Sequence, residues 1–171
     1  MTTIDEVFAF ATPVTRTVEL CLAGELQAEW EELDRKRTRL LQASPGDSLI
    51  GGAGSEELRK VEKRMEDLRK RMEKATVTFK IRGLPKRRWS DLCAQHPPRK
   101  EDTEAGRDYN AETLPVAALA ECCVEPKMTR EQAERLIDEV LTQAQWDELW
   151  FAVLRANNFK IDVPKSVSSS V

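Results

Sequence analysis

ELQAEWEELDRKRTRLL (residues 25–41) and SEELRKVEKRMEDLRKRMEKA (residues 55–75) decide the fold of this chain. In the second stretch Leu58, Val61, Met65, Leu68, Met72 and Ala75 recur at alternating three- and four-residue steps, the apolar a/d seam of a coiled coil. In the first, Leu26, Leu33 and Leu40 are spaced by seven, and Trp30 and Leu41 widen the stripe. Between the two lie Ser44, Pro45, Gly46, Gly51, Gly52 and Gly54, residues that suit a chain reversal and do not continue a helix. The pattern predicts two long charged helices folded into an antiparallel hairpin that projects from a globular base.

A short strand is expected at each outer end of the hairpin. In residues 17–22, Val18, Leu20 and Leu22 alternate with Glu19 and Cys21; in residues 76–82, Val77, Phe79 and Ile81 alternate with Thr78, Lys80 and Arg82. One strand enters the hairpin and the other leaves it, so an antiparallel pair follows from the connectivity. The first helix, about residues 25–42, carries acids at its start (Glu25, Glu29, Glu31, Glu32) and bases toward its end (Arg35, Lys36, Arg37, Arg39), the order that complements the helix dipole. Ser55 reads as the N-cap of the second helix.

The remainder is helical in pattern. Residues 1–16 form an N-terminal arm, with Val7, Phe8 and Phe10 packing on the base or on a neighbour. Pro85 opens a helix through Cys93 that Pro97 and Pro98 stop. Residues 99–112 are charged and contain Gly106, which predicts a surface loop. A buried apolar helix is expected over residues 116–124, followed by two helices over about 130–141 and 143–156. Thr129 with Gln132 and Thr142 with Gln145 match the capping box for that last pair. The sequence is thus divided into an arm (1–16), a strand–hairpin–strand unit (17–82), a C-terminal helical domain packed on the strands (83–160) and a mobile tail (161–171). The fold class expected is α+β, mostly α: a two-stranded antiparallel pair bearing a helical coiled-coil hairpin, then a small helical layer.

Composition narrows the function. At 171 residues the chain has room for one domain of ordinary size, or for one domain with an appendage. Charged residues make up 33%, yet the net charge is only −3, so the total gives no argument for nucleic acid or an anionic membrane. No apolar run reaches the length of a membrane span, and Asp5 and Glu6 stand where a signal peptide would be basic. Cys21, Cys93, Cys122 and Cys123 read as reduced thiols of the core, with no metal spacing among them and one histidine, His96. Cys93 and His96 lie three apart, but Pro97 pulls His96 off the helix, and no nucleophile motif surrounds them. Gly46 and Gly51 have the spacing of a phosphate loop, but Gly52 and Ala53 stand where Lys and Ser or Thr are required. The basic cluster Lys80, Arg82, Lys86, Arg87 and Arg88 is the one case for an anion patch, and it reads as a solvated or partner-facing surface. No enzyme, cofactor or metal is expected.

Several stretches, taken in order, carry a resemblance. They are VELCL (18–22) before Gly24, the charged hairpin, IRGL (81–84) leading to RWSDL (88–92), HPPR (96–99), YNAETLP (109–115), CCVEP (122–126) with Met128 and Thr129, QWDELW (145–150), and Asn157 with DVP (162–164). In this order, over about residues 4–165, the chain resembles the tail assembly chaperones of long-tailed phages that infect actinobacteria. The departures fall after Asn157, at Asn158, Phe159, Lys160 and Lys165. The resemblance implies a non-catalytic factor in the cytoplasm of the infected host, absent from the mature virion. It would bind the helical tape-measure protein before tail-tube polymerisation. It further implies a short form of a protein whose frameshifted long form, or a second copy, is an additional partner. The family supplies no catalytic residues to transfer.

The residue pattern places client contacts on apolar helix surfaces. The candidates are Leu58, Val61, Met65, Leu68 and Met72 of the hairpin and Trp146, Trp150 and Leu154 of the last helix. Two other readings remain open at this level: a structural virion subunit of the tail or head–tail connector, and a coiled-coil adaptor unrelated to phage.

Overall fold

A computed structural model of the chain describes residues 2–42 and 53–160. Of the reversal expected over 44–54, residues 44–52 lie outside the described residues, as does the tail over 161–171, while Gly54 falls in a helix. The fold is α+β and mostly helical, with one three-stranded antiparallel sheet. The chain divides into two compact units, Glu19–Val77 and Met1–Val18 with Thr78–Val171.

In the first unit, α2 (Gly24–Gln42) and α3 (Ala53–Lys74) form the hairpin. Leu26 and Leu33 of α2 meet Val61, Met65 and Leu68 of α3 in one buried cluster, flanked by Trp30, Leu40, Met72 and Ala75. The heptad phase sets this pairing, because the salt bridges along the flanks are exposed and each is worth no more than about 1 kcal/mol. Arg64 bridges to Glu29 at 2.8 Å and Lys36 to Glu57 at 2.8 Å. At the open end the Leu22 N–H donates to the Ala75 carbonyl at 3.2 Å. Ser55 is not the N-cap: α3 begins two residues earlier, at Ala53, and takes Gly54 into its first turn. A glycine there costs about 1 kcal/mol against alanine, a small sum beside the seam.

The second unit holds the remaining elements. The arm is itself helical, α1 (Ile4–Phe10), closed by a reciprocal Thr3–Glu6 capping box. None of its residues is buried: Val7 is half-buried, and Ile4, Phe8 and Phe10 are exposed. The strands β1 (Thr15–Cys21) and β2 (Thr76–Arg82) run across the division of the chain, and β2 lies between β1 and a third strand, β3 (Cys123–Glu125). That third strand corrects the two-stranded expectation. Residues 123 and 124 were expected to finish the apolar helix, but the strand takes both, together with Glu125 before Pro126. Cys123 is already extended (φ −74°, ψ 114°), so the run peels off and pairs with β2, Lys80 opposite Glu125 and Ile81 opposite Cys123.

The helices of this unit are α4 (Lys86–Ala94), α5 (Lys100–Glu104), α6 (Thr113–Cys122), α7 (Arg130–Arg135) and α8 (Gln143–Asn158). Between α7 and α8, Leu136–Val140 widens into a π-helical turn where a plain α-helix was expected. Both threonine capping boxes form: the Thr129 and Thr142 hydroxyls accept from the N–H groups of Gln132 and Gln145. The core gathers Phe79, Ile81, Leu114, Ala118, Leu119, Leu149 and Val153.

The surface loop expected over 99–112 is a second correction. It contains α5 and a fully buried carboxylate, Asp102. Asp102 accepts from the Arg99 N–H at 3.1 Å, the Arg99 Nε at 3.0 Å and the Ala111 N–H at 3.3 Å. A buried charge is tolerated when its acceptor positions are filled and a cation adjoins it, and here that network folds a charged segment into a fixed bracket.

Candidate functional site

The hairpin seam is closed by its own chain. Val61, Met65 and Leu68 are buried against α2, and Leu58 and Met72 are half-buried at its margins. A partner helix reaches the first three only if α2 moves away. What remains open is the lower flank, where a groove of about 260 Å3 is lined by Cys21, Gln27, Trp30, Met72 and Thr76, with Arg69 and Glu73 at its rim. Its floor is mainly apolar, because Trp30 and Met72 pack at the margin of the buried cluster and keep one side uncovered. The backbone is held there by the Thr76 hydroxyl, which donates to the Met72 carbonyl at 2.8 Å. Arg69 is clamped by ion pairs to Glu66 and Glu73, so the rim presents charge in fixed positions.

The α8 candidates lie in a second patch. Trp146 and Trp150 stack with ring centroids 5.9 Å apart, and Tyr109 meets Trp150 edge-on at 6.0 Å. Both tryptophans are half-buried, as is Leu154; the buried face of α8 is Leu149, Ala152, Val153 and Ala156. Beside Trp146 a cleft of about 290 Å3 carries Glu112, Glu134 and Asp138 above Pro115 and Ile137. The aromatic cluster is therefore a partly covered surface with an acidic edge.

Sequence reasoning passed over the exposed Phe151. Phe151 and Phe159 lie edge to face, 6.5 Å between centroids, with the Arg155 guanidinium 5.5 Å over the Phe151 ring. The signal was available in helical phase, since Phe151 falls about 200° from Leu149, opposite the buried face. Ile4, Phe8 and Phe10 of α1 are exposed as well.

The remaining titratable groups are tied into structure. The His96 Nδ1 lies 2.8 Å from the Thr113 hydroxyl, and its backbone carbonyl accepts from the Asn110 N–H at 2.9 Å. Burial, with Arg130 nearby, holds the imidazole below its usual range. Cys122 is pushed up to about 11 by burial, and burial raises Cys123 and Cys93 too, so these thiols stay protonated near neutrality. Among the described residues no three His, Cys, Asp or Glu side chains gather where a metal could sit. In the basic cluster, Lys80 pairs with Glu125, Arg88 with Glu121 at 2.7 Å and Arg87 with Asp91 at 4.0 Å. No helix among the described residues is long and apolar enough to cross a membrane. Comparison with protein-family models, with curated proteins and with solved structures gives no match.

Proposed function

We propose that this chain is a non-catalytic tail assembly chaperone of the kind made by long-tailed phages of actinobacteria. In this reading it acts in the cytoplasm of the infected host and binds the helical tape-measure protein. It keeps that client soluble until the tail tube polymerises, and is absent from the mature virion. A frameshifted long form is a further partner. The order of sequence pieces from Val18 to Pro164 motivates the family.

The observation that carries the reading is the groove at Trp30 and Met72. A helical client exposes apolar stripes, and a holder needs apolar floor for the stripe with charge around it for solubility. The Trp30–Met72 floor, rimmed by Arg69 and Glu73, has that composition. The Trp146–Trp150–Tyr109 cluster supplies a second apolar surface of the same character.

The test is co-expression with the long helical protein encoded just downstream, scoring that protein's solubility and co-purification. The expected result is a client soluble only in the presence of this chain, with neither short nor long form retained in purified particles. A client that is soluble alone and co-purifies with nothing overturns the reading, and stoichiometric recovery of this chain from virions replaces it with a structural subunit.

A further inference from the structure

Helix α1 is formed, yet none of its residues is buried among the described residues. Ile4 and Phe8 stand four apart on one face and remain 62% and 74% exposed. A seven-residue helix is far below the length that is stable in water alone, capping box or not. Its apolar face therefore calls for a covering surface that the described residues do not give it.

The same unit carries a groove that lacks an apolar cover. About 440 Å3 in volume, it runs between the first half of β1 and one face of α8 and is lined by Thr15, Arg16, Val18, Glu148, Phe151 and Arg155. No residue of α1 lines it. Phe151 is 52% exposed there, and β1 is an edge strand of the sheet. The Arg16 Nε is buried with no hydrogen-bond partner among the described residues, an arrangement that favours an incoming acceptor.

We propose that this groove receives α1 of a second copy of the chain, so that two protomers exchange their N-terminal helices reciprocally. Ile4 and Phe8 of one copy cover Phe151 and Val18 of the other. The charges match: the first turn of α1 carries Asp5 and Glu6, and the groove carries Arg16 and Arg155. The one acid of the groove, Glu148, is two helical turns from Arg155, about 10 Å along α8, so the acidic turn of α1 seats at the arginine end and away from it. The connector favours exchange over folding back. Residues 11–14 contain Pro13, and the Val14 carbonyl is pinned by the Gly83 N–H at 2.8 Å, which leaves a short stiff hinge of the sort that exchanges helices between copies. A two-fold exchange closes on itself and buries both helices. The inference is independent of the client reading, since it concerns only copies of this chain.

Sedimentation velocity on the full chain at micromolar concentration tests it. The expected result is a dimer that Phe8→Asp weakens at least tenfold, with far-UV circular dichroism losing no more than the helicity of the seven residues of α1, because none of them is buried in the rest of the fold. Asp5→Arg is expected to weaken it and Asp5→Arg with Arg155→Asp in one chain to restore it. Mixing a Phe8→Cys chain with a Phe151→Cys chain is expected to give the mixed disulfide between copies on mild oxidation. A monomeric wild type, a dimer indifferent to Phe8→Asp, or a Phe8→Cys/Phe151→Cys cross-link formed within single chains overturns the proposal.

Discussion

Gly83 approaches Ala156 so closely that a Cβ on Gly83 would stand 2.3 Å from the Ala156 carbonyl oxygen. The obstacle is backbone, in the last turns of α8, so it cannot swing aside. Gly83→Ala is therefore expected to push β2 and α8 apart and to cost about 1–3 kcal/mol, the range for overpacking. Thermal unfolding followed by circular dichroism reads this directly. Gly24→Ala, where an added Cβ meets nothing within 4 Å, is the control and is expected to change stability by less than about 0.5 kcal/mol.

Leu68 is the most buried residue of the hairpin seam, at 1% exposure. Leu68→Ala leaves a cavity that the facing α2 residues cannot fill and is expected to cost about 2–5 kcal/mol. Leu41→Ala, on the same hairpin but half-exposed, is expected to be near neutral. Urea unfolding of the two variants separates the seam from the merely apolar surface. Similar losses in both would mean that the heptad phase does not set the pairing.

The seam was legible because a long, regular period leaves one solution: the residues spaced by three and four from Val61 to Leu68 are the ones that α2 covers. β2 was legible residue for residue, its alternation being undisturbed by proline or glycine. β3 was not, because three residues show no period and Cys122–Cys123–Val124 reads as the end of an apolar helix. Asp102 was hidden for a different reason. A carboxylate among Lys100, Glu101 and Glu104 looks like surface, and its burial depends on donors from Arg99 and Ala111 that only the folded bracket brings together. For the candidate site, Trp146, Trp150 and Leu154 were visible as apolar positions of one helix. The edge-on contact of Tyr109 with Trp150 was not visible, because no spacing connects Tyr109 to α8.

Asp102 makes the bracket sensitive to acid. Hydrogen bonding from the Arg99 guanidinium, with backbone donors from Arg99 and Ala111, lowers its carboxyl to about 2 from an ordinary 3.8. The folded state therefore releases the proton more readily than the unfolded state. The stabilisation is full above about pH 4 and is lost as the pH falls through 2. Asp102→Asn is expected to melt below the wild type at pH 7, and the gap between the two melting temperatures is expected to narrow from pH 4 toward pH 2. A constant gap would show that the carboxylate's charge contributes nothing.

His96 has the same sign at a higher pH. Its folded value lies below the ordinary 6.5 because burial disfavours the imidazolium and Arg130 repels it. As the pH drops below about 6.5 the unfolded chain takes up a proton that the folded chain resists, and stability falls. Melting temperatures taken from pH 8 to pH 5.5 are expected to decline in the wild type. His96→Gln, which keeps a hydrogen-bonding group near Thr113, is expected to flatten that decline; an equal slope in both would assign it to other groups.

Asn157 ties three parts of its unit together with one side chain. Its Oδ1 accepts from the Leu84 N–H at 2.8 Å, and its Nδ2 donates to the Val153 carbonyl at 2.8 Å and lies 3.5 Å from the Cys122 sulfur. Asn157→Ala strips the acceptor from a backbone N–H just beyond the Gly83 contact, a loss expected to cost about 1–3 kcal/mol. Asn157→Asp separates the two functions of the amide: it keeps an acceptor for Leu84 but sets a carboxylate against the Val153 carbonyl and the Cys122 thiol. Amide hydrogen exchange at Leu84 is the measurement. Protection is expected to fall at least tenfold in Asn157→Ala, and in Asn157→Asp global stability is expected to fall while Leu84 stays protected relative to its neighbours. Unchanged exchange at Leu84 in both variants would mean that the Gly83–Ala156 packing, and not the asparagine, holds this corner.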